Sequence, residues 1–130
     1  MSRRAQSRPA DRVRGRAAAT KARRLLDGGI RAHDRGDIDT ALGSFVEAAV
    51  LACDALCIFA RGEYSVGQDH GQALQTLRSV EGGAALSKAL GTALQAKKQH
   101  AYEVGLPKNS EMVALRRAAE RLVQVAESRM

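Results

Sequence analysis

Apolar residues recur at helical spacing along most of the chain, and the breaks between runs fall at glycines. From Ala10 to Arg35 the residues are helix formers with a narrow apolar stripe of Leu25, Leu26 and Ile30, interrupted by Gly15 and Gly28-Gly29. This predicts a first helix with a frayed basic start. Gly36-Asp37 reads as a C-terminal glycine followed by an N-cap, since an Asp side chain accepts the unpaired amide protons of a first helical turn. The second helix then runs to about Ala60. Phe45, Val46, Val50, Leu51, Leu56, Ile58 and Phe59 leave it little polar surface, which suits the middle of a bundle or a subunit interface.

Arg61 to Gln68 holds Gly62 and Gly67 and reads as a loop. Asp69 is the expected N-cap of a short third helix through Val80, ended by Gly82-Gly83. A fourth helix follows from Ala84 to about Tyr102, with Leu86, Ala89, Leu90, Ala93 and Leu94 three and four apart. After a connection at 104–110, Ser110 is the expected N-cap of a fifth helix, with Glu111 where the helix dipole favours an anion. Its buried stripe is Met112, Leu115, Ala119, Leu122, Val123 and Ala126, with Arg116, Arg117, Glu120 and Arg121 outward. The reading is all-α, an antiparallel bundle of about five helices with a basic N-terminal extension. Only 3% of residues are aromatic and none is Trp, which disfavours a sheet protein.

Charge divides the 130 residues unevenly. Residues 1–24 hold nine basic side chains, Arg3, Arg4, Arg8, Arg12, Arg14, Arg16, Lys21, Arg23 and Arg24, against the single acid Asp11, a net +8. The remaining 106 residues carry 12 basic and 13 acidic groups, a net −1. A partly disordered or helical arm over 1–24 is therefore separated from a bundle over 25–130, and the nucleic-acid argument belongs to the arm. The apolar run around Asp54 is short and interrupted, so no membrane span is expected. Cys53 and Cys57, four apart in an apolar stretch, read as free core residues of a cytoplasmic protein.

Two polar clusters could carry chemistry. Glu47, Asp54 and Arg61 recur every seven positions on the second helix, either as a solvent stripe or as the border of a groove completed by Gln68, Asp69 and His70. Lys97, Lys98, His100 and Tyr102 cluster near the end of the fourth helix. Cations there suit the helix dipole, while a His beside a Lys and a phenol could move a proton and hold a phosphate. Cys53, Cys57, His70 and His100 lack a close-spaced second ligand pair, so no metal centre is expected, and no glycine pattern indicates a nucleotide cofactor.

Three stretches, 48–57, 67–70 and 97–102 followed by 115–123, resemble the HEPN superfamily, particularly its small stand-alone actinobacterial members. The resemblance covers Asp37 to Ala126. It implies a helical bundle, usually a homodimer, and in many members a metal-independent endoribonuclease of toxin or phage-defence type paired with a nucleotidyltransferase-like antitoxin. The implied motif is an Arg four to six residues before a His, with a Tyr two residues after it. His100 and Tyr102 match the second half, but Gln95 to Gln99 supply Lys97 and Lys98 and no Arg. The expectation is a HEPN-like protein that binds DNA, RNA or a nucleotide without catalysis. The alternatives are a ribonuclease using His100, Tyr102, Lys97 and Lys98, and a structural helical adaptor.

Overall fold

The apolar segment around Phe45 to Phe59 forms the axis of the molecule. In the computed structural model, which describes residues 7–65, 71–80, 82–100 and 105–130, it belongs to α2, Ile38–Arg61. The other helices among the described residues are α1 (Arg12–Asp34), α3 (Gly71–Arg78), α4 (Gly83–His100) and α5 (Asn109–Ser128). The fold is all-α, as the periodicity predicts. α1, α3, α4 and α5 all pack against α2, so its apolar sides are covered within the chain. Fully buried Leu26, Leu77, Leu86, Leu90, Leu115 and Leu122 join Phe45 in one core, each such side chain contributing about 2 kcal/mol of transfer free energy.

α1 and α2 are an antiparallel pair joined by a tight turn at Gly36, whose φ of +82° is accessible to glycine at little steric cost. Their facing surfaces are built from Ala19, Ala22, Ala32, Ala41, Ala48, Ala49, Ala52 and Ala55, all at 0% exposure. Two glycines let the aromatic rings in. A Cβ on Gly15 would stand 2.5 Å from Phe59 Cε1, and one on Gly29 would stand 2.8 Å from the Phe45 ring. Gly15 and Gly29, which read as interruptions of the first helix, are thus packing surfaces inside it.

α5 runs antiparallel to α1. Arg12 Nη2 donates to the Arg129 carbonyl at 2.9 Å at one end, and Arg116 Nη1 reaches Asp34 Oδ1 at 3.0 Å at the other. His33 fits between: its ring meets Phe45 edge-on at 5.9 Å, and its Nδ1 lies 3.1 Å from Arg116 Nη1. α4 packs on α2 and α5, and α3 on α4.

Several boundaries differ from the sequence reading. Part of the expected loop after Arg61 is a strand, β2 (Glu63–Ser65), paired antiparallel with β1 (Ser7–Pro9), so that Arg8 stands opposite Tyr64. Three-residue strands leave no periodicity to read. Asp37 occupies the N-cap of α2 without a side-chain hydrogen bond and instead faces Arg35 at 4.0 Å. α3 ends at Arg78, before the expected Val80; Gly82, at φ +73°, lies in the turn that follows, and Gly83 opens α4, where a Cβ would collide with the Leu77 carbonyl. α5 begins before Ser110, because Glu111 Oε1 accepts the Lys108 amide at 2.9 Å. The expected cap Asp69 lies outside the described residues.

By length and composition alone α2 could cross a membrane, with a mean hydropathy of 1.9 through the Asp54 interruption, yet 56% of that window is buried inside the bundle. The core helix of a globular protein has this property.

The α1–α2 contact predicts an asymmetry among glycines. Gly29→Ala should lower stability by about 1–3 kcal/mol through overpacking against Phe45. Gly43→Ala, on an exposed helical position with open space around it, should raise it by about 0.5–1 kcal/mol. Urea unfolding of both variants checks the pair, and equal effects would contradict the close approach.

Candidate nucleic-acid interface

The buried positions of α1, Gly15, Ala19, Ala22, Leu26, Gly29 and Ala32, fix which side of the helix faces outward. The basic residues of α1 separate into two groups by the partners they reach. Arg12, Arg14 and Arg23 lie along the surface against the protein's own groups. The Arg12 guanidinium lies over the Phe59 ring at 4.9 Å. Arg14 lies over the Tyr64 ring at 4.7 Å and donates to the Tyr64 hydroxyl at 2.7 Å. Arg23 makes a fork to both oxygens of Glu127, at 2.9 and 2.6 Å, and reaches Asp27 at 3.5 Å. Hydrogen bonding to Arg23 holds the Glu127 carboxyl below the usual range.

The second group faces solvent. Arg16, Lys21, Arg24 and Arg31 are exposed and enter no hydrogen bond or ion pair among the described residues. Arg35 continues the same side with only its long contact to Asp37. Arg31 and Arg35 fall beyond the sequence boundary at residue 24. That boundary lies inside α1, so helical periodicity rather than charge density was the signal that includes them. On α5, Arg117 and Arg121 are exposed as expected, whereas Arg116 and Glu120 pair with each other at 3.4 Å beside α1. Arg8 lies in β1 with no side-chain placement described, and Arg3 and Arg4 lie outside the described residues.

The Lys97 to Tyr102 cluster is divided in the structure. Lys97 and Lys98 are exposed on the last turn of α4. The His100 side chain is only 8% exposed, and its Nε2 lies 3.2 Å from Glu111 Oε2. The Lys108 amide and His100 together hold the Glu111 carboxyl below its ordinary pKa. His100 thereby ties the end of α4 to the start of α5, and a general acid or base must instead reach the substrate atom it serves. Tyr102 lies outside the described residues. Beside this cluster a shallow groove between α4 and α5 is lined by Thr92, Gln95, Gln99, Glu111 and Ala114.

The heptad stripe on α2 is graded along its length. Glu47 is exposed, Asp54 is half-buried, and Arg61 is exposed with Nη2 donating to Ser79 Oγ at 3.2 Å. Burial pushes the Asp54 carboxyl up to about 7, with the nearby Arg14 charge opposing the shift. The neighbouring Cys53 thiol is raised as well, by its hydrogen bond with Cys57 and by burial. Gln68, Asp69 and His70, which would complete a groove here, lie outside the described residues. Among the described residues no three His, Cys, Asp or Glu side chains converge to hold a metal ion.

The chain matches no protein-family model, no curated protein and no solved structure.

Asp54 makes stability depend on pH in a defined direction. Its folded-state pKa of about 7 exceeds the unfolded value of roughly 3.9. Between these values the folded chain keeps a proton that the unfolded chain releases, so stability falls as pH rises through the window. Asp54→Asn should therefore be more stable than the wild type at pH 8, by about 2 kcal/mol after allowance for partial solvation, and nearly equal to it at pH 4. Urea melts at both pH values test this; a constant difference between the two proteins would remove Asp54 as the cause.

Proposed function

We propose that the protein binds nucleic acid without cleaving it, through the exposed cations of α1, and that it is a HEPN-like protein whose catalytic motif is incomplete. The exposed row of Arg16, Lys21, Arg24 and Arg31, without acidic partners among the described residues, carries this reading. Such a row neutralises phosphates and releases their condensed counterions. The acids nearest to it on α1, Asp27 and Asp34, are engaged by Arg23 and Arg116. Arg3 and Arg4 add two charges in the residues before β1. Two observations support a role without cleavage: no Arg precedes His100 at the motif spacing, and the His100 ring is taken up by Glu111.

The test is binding of a labelled nucleic acid followed by fluorescence anisotropy across a salt series. About four phosphate contacts give a slope of log K against log salt near −3 to −4. Arg24→Ala/Arg31→Ala should reduce that slope by about 2 while leaving the melting temperature almost unchanged. An unaltered slope would sink the assignment to α1. Degradation of RNA by the wild type but not by His100→Ala would instead establish the ribonuclease.

A further inference from the structure

Resting on that reading, we infer that the α1 face recognises a double-stranded nucleic acid by its phosphate backbone, independently of sequence, in preference to a single strand. Three properties of the face lead there. The first is rigidity: Arg16, Lys21, Arg24, Arg31 and Arg35 stand on one continuous helix whose opposite side is packed against α2. At a rise of 1.5 Å per residue the row spans about 28 Å, matching the axial length of about eight base pairs. A fixed band of charge, with Arg24, Arg31 and Arg35 in line and Arg16 and Lys21 to either side of them, suits a fixed array of phosphates, and a duplex presents one negative charge per roughly 1.7 Å of axis, denser than a single strand.

The second property is chemical. Binding a single strand draws on aromatic rings on which bases stack, each worth about 1–3 kcal/mol. The chain has two Phe, two Tyr and no Trp. Phe45 is fully buried, Phe59 lies under Arg12 and Tyr64 lies under Arg14. Among the described residues, the two aromatic rings outside the core are thus already stacked on by the protein's own guanidinium groups. The uncharged residues between the exposed cations are Ala17, Thr20 and Gly28, and the two acids there, Asp27 and Asp34, are engaged by Arg23 and Arg116, so the face offers none of the amide forks that read base edges.

The third property separates a duplex from the other extended anionic surface, a membrane. A basic amphipathic helix binds lipid by inserting its apolar side. The apolar side of α1 is spent on the bundle: Ala19, Ala22 and Leu26 are at most 1% exposed.

The deciding experiment titrates the full chain into four fluorescent probes at 100 mM salt: a 20-base-pair DNA duplex, the RNA duplex of the same sequence, an unstructured 20-nucleotide strand, and vesicles containing anionic lipid. The expected result is binding to at least one duplex at least tenfold tighter than to the single strand or the vesicles, unchanged when the duplex sequence is scrambled. Arg24→Glu/Arg31→Glu should cost the duplex tenfold or more. Equal or tighter binding of the single strand overturns this inference and leaves nucleic-acid binding standing. Preference for vesicles, or no binding to any probe, overturns both. Sensitivity to scrambling overturns the backbone-only mode.

Discussion

The close approach of α1 to α2 is the constraint on which the rest of the molecule depends. Alanine against alanine brings the two helices near, and Gly15 and Gly29 leave room for Phe59 and Phe45 to lie against the α1 backbone. This contact sets the rotation of α1 about its axis. Once Ala19, Ala22 and Leu26 point inward, Arg24 and Arg31 have to point outward, with Lys21 and Arg16 on the flanks. Dispersion at that seam is small per atom pair and large in sum, so the placement of the exposed charges is dictated by packing rather than by the charges themselves.

The arginines held by the protein's own groups do different work. Arg12, Arg14 and Arg23 each join α1 to an element distant in sequence: the last residues of the chain, β2, and α5. A guanidinium can stack on a ring and donate hydrogen bonds in the same posture, which a lysine cannot reproduce. The single Lys of the basic segment, Lys21, is indeed among the solvent-facing cations. The N-terminal charge therefore has two physical roles, cohesion and surface potential, distributed by which partners lie within reach of each position.

The α-helical architecture and the buried stripe of α5 were legible because they rest on long runs of periodic apolar residues. The all-round apolar character of α2 likewise indicated its central position. What escaped the sequence depends on contacts between distant segments. Gly29 resembles a helix breaker until Phe45 is seen against it, and His100 resembles an exposed catalytic group until Glu111 is found 3.2 Å away. The nine basic residues of the first segment looked equivalent because composition carries no contacts; Glu127 on α5 is what distinguishes Arg23 from Arg24. Asp54 was legible as a polar residue in an apolar helix, but the degree of its desolvation depends on how the folded chain packs around it.

The hydrogen bond from Arg12 to the Arg129 carbonyl has a topological meaning. It brings the first turn of α1 and the last turn of α5 to the same pole, beside the β1–β2 ribbon, while the Gly36 turn and the start of α5 share the opposite pole. The described path is close to a closed ring. Joining residue 130 to the segment before α1 with a short flexible linker and opening the chain at the exposed turn around Gly36 would preserve every helix. The same packing could then be reached from a different order of synthesis. In such a circular permutant α2 would emerge first and α1 last, so the helix that bears the exposed cations would be the final piece laid onto an already assembled core.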